Sequence, residues 1–272
     1  MILTIDRGNT HTKVALFREG SNRPTTIECR EAGEAGEAAY RLWKSSGGEQ
    51  PMRGICCSVG HDDGEPLRSL LQRGGDWIEL TATTPLPIEI DYGTPGTLGL
   101  DRIAAACGAH SLYPGECVMI ADAGTALTLD LLDGRGGRGV FIGGNISPGL
   151  RLRGESLHRH TGRLPLVDMR EERAAHLIGE NTRDAIRTGV YLGITGEIET
   201  CWQLSKARYG AGRLLLTGGD SGRIAGYASK LRQAPGAESE AESACRLLAD
   251  AETETNLVAL GLKSIYEYNR QQ

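Results

Sequence analysis

Ile2-Leu-Thr-Ile-Asp6-Arg-Gly8-Asn9-Thr10-His-Thr-Lys13-Val-Ala-Leu-Phe17 opens the chain, and Val118-Met-Ile-Ala-Asp122-Ala-Gly124-Thr125-Ala-Leu-Thr-Leu-Asp-Leu-Leu132 repeats its plan in the middle. Each stretch is an apolar run, then Asp-x-Gly with a short polar residue, then a second apolar or alternating run. This is the pattern of a β-hairpin whose first strand ends on an acid. Two copies of one turn make the chain read as two halves of one plan, 1–115 and 116–272. Two such hairpins can form a site for a metal-bound nucleotide phosphate. Glycine lets the backbone N–H groups approach and donate to the phosphate, and the carboxylates hold Mg2+ directly or through water. The plainer alternative for Asp6-x-Gly8-Asn9 is a turn chosen for backbone geometry alone. For Asp122 it is a strand-end residue that bonds its own backbone.

Working outward, residues 2–17 form the first hairpin, followed by a strand at Thr26–Arg30 and a helix at Glu31–Ser46. Arg53–Val59 and Trp77–Leu80 read as strands around a helix at Pro66–Gln72. Ile88–Tyr92 is a strand in a Thr/Pro/Gly-rich stretch, and Asp101–Tyr113 is helical. After strands at 117–121, 125–132 and Gly139–Ile142, Gly143–Gly149 reads as a loop near a ligand or a partner subunit. Helices are expected at Leu150–His160, Arg170–Leu177, Thr182–Ala207 and Asn256–Asn269, with a strand at Leu214–Thr217. Leu247–Asp250 is a short segment, and Ala234–Ala244 reads as a solvated loop or exposed helix. The mixture is α/β.

The 272 residues allow one large domain or two ordinary ones. A net charge of −5, with much of the acid near Glu238–Glu254, offers no footprint for nucleic acid or an anionic membrane. No apolar run nears the ~20 residues of a membrane span, and no secretory signal opens the chain. The expected location is the cytoplasm. The seven cysteines lack Cys-x-x-Cys or zinc spacing and read as reduced, mostly buried thiols.

Further residues carry chemistry. Lys13 returns on the second strand and can reach a transferred phosphoryl group. In Leu98-Gly99-Leu100-Asp101-Arg102, Asp101 can be a helix N-cap or can accept a proton from a substrate hydroxyl. Arg102 stands in a first helical turn, where a cation opposes the helix dipole by roughly 0.3–1 kcal/mol. A carboxylate ligand would answer it. Tyr92 and the glycines at 93, 96 and 99 would line that pocket. Leu216-Thr-Gly-Gly-Asp220 can let a base or ribose lie on the backbone, or be a plain turn. His158 and His160 read as surface residues. No P-loop is present, so phosphate chemistry would use the hairpins.

The ordered set of Asp6–Lys13, Tyr92 with Gly99–Arg102, Asp122–Thr125, Gly143-Gly-Asn-Ile-Ser-Pro-Gly149, Asn181-Thr182-Arg-Asp-Ala-Ile-Arg-Thr-Gly189, Thr217-Gly-Gly-Asp220 and Asn256-Leu-Val-Ala-Leu-Gly-Leu262 resembles type III pantothenate kinase, also described as the Bvg accessory factor family. The resemblance spans essentially the whole chain. It implies the acetate and sugar kinase/Hsp70/actin fold, duplicated ribonuclease-H-like domains with the active site between them. It implies ATP-dependent phosphorylation of the pantothenate 4′-hydroxyl, the first step of coenzyme A synthesis. By the same resemblance, Asp6, Arg7, Gly8, Asn9, Thr10, His11, Thr12 and Lys13 form the ATP phosphate loop and Thr125 is an ATP contact. Asp101 is the proton acceptor. Tyr92, Gly99, Leu100, Asp101, Arg102 and Thr182 contact pantothenate. Asp122 binds a monovalent cation, potassium (K+) or ammonium (NH4+), beside the Mg2+ that accompanies ATP. A homodimer is implied, with substrate pockets completed near the subunit interface. Arg7 departs from the pattern, in a slot usually small or aliphatic; its side chain is expected to point away from the nucleotide.

Other readings use the same hairpins. A sugar kinase or phosphatase would give Arg102 no carboxylate to bind. A non-enzymatic regulator would not need Asp6, Asp101 and Asp122 together. An actin-like filament former would need assembly surfaces.

Overall fold

The computed structural model describes residues 1–8, 11–29, 32–49, 51–58, 75–171, 175–233 and 248–271. The helix expected at Pro66–Gln72 and the segment Ala234–Ala244 lie outside them. The chain divides into two compact units: residues 1–115, 134–143 and 256–272 form unit 1, and residues 116–133 and 144–255 form unit 2.

In unit 1 the first hairpin is β1 (Ile2–Arg7) and β2 (Thr12–Phe17), antiparallel, with β3 (Thr25–Cys29) antiparallel on the far side of β2. β4 (Arg53–Ser58) and β5 (Asp76–Glu79) are added in parallel, giving the order β3-β2-β1-β4-β5. Strand alternation sorts the side chains to two faces. Leu3, Ile5, Val14 and Leu16 pack with Ala35, Ala39, Leu42 and Trp43 of α1 (Ala32–Ser45). Ala15 and Phe17 pack on the opposite face with Ala259 and Leu260 of α6 (Leu257–Arg270). Residues 134–143 and 256–272, expected with the C-terminal half, therefore group with unit 1: α6 covers β1 and β4, and β6 (Ile88–Ile90) pairs in parallel with the start of β9 (Gly139–Pro148).

Unit 2 repeats the strand plan. β7 (Cys117–Ala123) and β8 (Ala126–Asp133) are antiparallel; β10 (Arg213–Thr217) lies parallel to β7, and β11 (Ala251–Thr253) parallel to β10. The order β9-β8-β7-β10-β11 matches that of unit 1. This is the ribonuclease-H-like plan twice, as the resemblance implied. Among the described residues the helices of unit 2 are α3 (Leu150–His160), α4 (Thr182–Tyr209) and α5 (Ser221–Arg232). The Asn181 side chain caps α4 by accepting from the Asp184 N–H at 3.1 Å, and Gly210 ends it at φ 68°.

Three expectations are corrected. The expected loop Gly143–Gly149 is almost wholly strand, because β9 continues to Pro148; Gly143, at φ 146°, lets it pass beside Tyr92. The described residues of 170–177 are not helical. Side chains hold that backbone instead: Asp168 accepts from the Arg170 N–H, and the hydroxyls of Tyr191 and Tyr227 donate to the Met169 and His176 carbonyls. The helix expected from Asp101, here α2 (Leu100–Leu112), is capped by Gly99, so Asp101 lies within its first turn and not at the N-cap.

The glycine at 261 brings α2 and α6 together. A Cβ there would fall on the Ala104 carbonyl and the Gly108 backbone, and one at Gly108 would fall on the Leu257 carbonyl. Gly261→Ala should therefore lower stability by about 1–3 kcal/mol or more in denaturant unfolding. Gly196→Ala, in α4 with nothing within 4 Å of the added methyl, should raise it by roughly 0.5–1 kcal/mol.

Candidate active site

The β1–β2 register places Asp6 opposite Lys13, on the face away from α1. Gly8 closes the turn, its N–H donating to the His11 carbonyl at 3.1 Å. Asn9 and Thr10, expected to donate to phosphate, lie outside the described residues. His11 is exposed and Thr12 buried. Arg7 is buried on the face opposite Asp6, by strand alternation.

Asp6 Oδ1 is shielded from solvent and has no hydrogen-bond partner among the described residues. Its carboxyl is pushed up to about 7: burial disfavours the charge most, the nearby Asp101 carboxylate adds to this, and Lys13 opposes it. Cys57, which pairs with Asp6 across β1 and β4, has its thiol pushed upward by burial and by the same two carboxylates. Asp6, Asp101, Lys13 and Cys57 thus share one place in unit 1.

Asp101 reaches that place from the start of α2. Its Oδ1 accepts from the Arg102 N–H at 2.9 Å. A Cβ at residue 99 would meet Asp101 Oδ1 at 2.5 Å, so glycine suits this cap. Arg102, 6% exposed, is the charge that opposes the helix dipole. Its guanidinium carbon lies 5.8 Å from the Tyr92 ring centroid and 5.6 Å from that of Phe141. The two rings meet edge to face at 5.9 Å. Aromatic faces favour the cation by about 0.5–2 kcal/mol. Phe141 was not singled out in the sequence, although it is one of just two phenylalanines in the chain.

Unit 2 gathers three of the glycine-rich motifs around the second hairpin. The Gly124 N–H donates to the Ala126 carbonyl at 3.0 Å. Asp122 therefore pairs with Thr128, whereas Asp6 pairs with Lys13: the two turns share a motif but differ in loop length. The Gly149 N–H donates to the Thr125 carbonyl at 3.1 Å, and a Cβ at 149 would strike the Gly124 and Thr125 carbonyls. Gly218, at φ 87°, packs its α-carbon against the Asp122 carboxylate and Ala123, and the Asp220 N–H donates to the Ala123 carbonyl at 3.0 Å. Thr217-Gly-Gly-Asp220 is thus more than a plain turn, since it forms one wall of the Asp122 turn.

Thr182 lies elsewhere in unit 2. It is exposed at the start of α4 and lines an open groove of ≈ 580 Å³ with Arg153, Leu157, Leu164 and Ile186. His158 and His160 are exposed on α3. Among the described residues no group of three or more His, Cys, Asp or Glu forms a ready metal cage. Asp6, with its unpartnered buried oxygen, suits a cation that takes most of its ligands from phosphate and water. No helix among the described residues is long and apolar enough to cross a membrane.

The family model for type III pantothenate kinase matches residues 2–204. A type III pantothenate kinase from Porphyromonas gingivalis W83 is 35% identical over 272 residues, covering 98% of each chain. One from Bacteroides fragilis ATCC 25285 is 38% identical over 220 residues, covering 81% of this chain and 86% of its own. The solved activator of the 2-hydroxyisocaproyl-CoA dehydratase from Clostridium difficile, with bound ADPNP, shares the fold at a TM-score of 0.53 and 12% identity, covering 99% of this chain and 96% of that one. The chain belongs to the type III pantothenate kinase family.

Proposed function

We propose that Asp101 is the proton acceptor, and Arg102 the carboxylate anchor, of the family's reaction, ATP-dependent phosphorylation of pantothenate to 4′-phosphopantothenate, the first step of coenzyme A biosynthesis. The observation that carries this is the meeting of Asp6, Asp101 and Lys13 at the end of β1, with Asp6 Oδ1 buried and unpartnered. The buried guanidinium of Arg102 beside this cluster suits a substrate with a carboxylate better than a neutral sugar.

Phosphoryl transfer passes through a loose transition state, so positioning and charge stabilisation supply most of the rate. Asp6 would hold Mg2+, which neutralises charge on the ATP phosphates when bound. Lys13 and the N–H groups of the Arg7–Thr12 turn (Gly8, Asn9, Thr10 and His11 between) would hold the phosphoryl oxygens. Arg102, backed by two rings, would clamp the pantothenate carboxylate, with Tyr92, Gly99 and Leu100 lining the site. That clamp directs the far hydroxyl toward Asp101, which takes its proton late in the transfer. Thr125 would contact ATP, and Asp122 would hold K+ or NH4+.

The working form is read as a cytoplasmic homodimer. Ile146, Leu166, Leu177 and Ile178 are large apolar side chains left exposed in unit 2. Thr182 lies in sequence beside the last of them and would complete a substrate pocket at the subunit interface.

The test is ADP release with ATP, Mg2+ and pantothenate, in potassium and then in sodium. Turnover should need pantothenate and potassium, and ADP release independent of pantothenate would overturn the reading. Asp101→Asn should lower turnover about 10²–10⁴-fold while ATP binding is kept. Asp122→Asn should bring the rate in potassium down to the rate in sodium. Because Asp6 ionises more readily unfolded than folded, the metal-free protein should lose stability, relative to Asp6→Asn, as pH rises from about 4 to about 7. Below pH 7 the proton competes with the cation, so the thermal shift produced by Mg2+ should shrink by nearly tenfold in apparent affinity per pH unit.

A further inference from the structure

A cleft of ≈ 590 Å³ lies between α4 and α5, wholly within unit 2. The kinase reading uses Thr182 of the Asn181–Gly189 motif and leaves Arg187 without a role, yet Arg187 lines this cleft. It is 7% exposed. Its Nη2 donates to the Asp168 carbonyl at 3.2 Å and to the Glu171 carboxylate at 2.8 Å, and its Nη1 lies 3.5 Å from Asp184. Its Nε is buried and has no hydrogen-bond partner.

Arg170, Arg223, Lys230 and His176 also line the cleft. The carboxylates among the lining residues, Glu171 and Asp184, both pair with Arg187, and Arg223 is held by Asp220 at 3.4 Å. Arg170 and Lys230 have no ion-pair partner among the described residues. The wall beneath is made by Tyr191 and Tyr227, stacked at 4.9 Å, whose hydroxyls are occupied by the Met169 and His176 carbonyls. The tyrosines therefore hold the Met169 and His176 carbonyls at the rim, and Arg170 and Lys230 remain as cationic donors among the lining residues.

We propose that this cleft is a second binding site, for a small phosphate ester, with the phosphate held by Arg187 Nε, Arg170 and Lys230. Arg170 and Lys230, which no described carboxylate pairs, match the double charge of a phosphate monoester, and Arg187 Nε adds a donor whose charge Glu171 and Asp184 already answer; a lone carboxylate would meet just one of the two open charges. The volume lies within the roughly 300–1,000 Å³ of small-molecule sites, so the ligand carries an organic part beyond the phosphate. The site is independent of the catalytic reading, because none of these residues has a part in it.

The experiment is calorimetric titration of the protein, loaded with Mg2+ and a non-hydrolysable ATP analogue, with AMP, 4′-phosphopantothenate and inorganic phosphate. One ester should bind 1:1, and the ester that does so distinguishes a nucleotide from an acyl-amide source. Arg170→Glu with Lys230→Glu, both at exposed positions, should weaken that binding at least tenfold while pantothenate turnover is unchanged. Arg187→Met should abolish it, and the surface pair stands as the test if that variant does not fold. Failure of both esters to bind, or equal binding by wild type and the surface pair, would overturn the proposal, whatever the kinase assay reads.

Discussion

Asp6 and Asp101 are negative groups brought together from elements far apart in sequence, and the cost of that repulsion governs unit 1. Burial already disfavours the Asp6 charge, and Asp101 adds to the penalty. Positive charge must therefore come near. The β1–β2 register supplies one such charge at Lys13, directly opposite Asp6. A divalent cation would supply more, which is why the buried Asp6 oxygen, without a hydrogen-bond partner among the described residues, reads as function and not as stability. The α2–α6 glycine contact belongs to the same constraint, because it sets how closely α2, with Asp101 in its first turn, lies beside the helix that covers β1.

Arg102 shows the complementary solution for a cation. It is buried, it stands where the helix dipole opposes it, and two aromatic rings sit against it. Rings stabilise a guanidinium without neutralising it, so affinity for an anion survives. Asp101 is the preceding residue of the same helix, so the proposed carboxylate anchor and the proposed proton acceptor leave one rigid element about 100° and about 1.5 Å apart.

Both hairpins were legible in the sequence because an apolar run ending in Asp-x-Gly has few other structures open to it. The long helix from Thr182 was legible for the same kind of reason: its polar cap and its length leave little choice. Local patterns misled where distant partners decide. Gly143-Gly-Asn reads as loop, yet β9 carries through it because Gly143 takes a φ of 146° and a Cβ at Gly144 would strike Asp130 and the Leu129 carbonyl. Arg170–Leu177 has helical composition, but tyrosine hydroxyls from two other helices take the carbonyl of Met169 just before it and that of His176 within it. Phe141 gave no signal, since an aromatic within an apolar strand looks like core until the cation beside it is known.

The position of α6 has a consequence for how the molecule is made. This helix packs on the hairpin that carries Asp6, so unit 1 lacks part of its own core until α6 is synthesised. Domains ordinarily fold in the order of synthesis. Here unit 2 is fully translated before α6, and a nascent chain stopped short of α6 would leave the Ala15 and Phe17 face of the first hairpin uncovered.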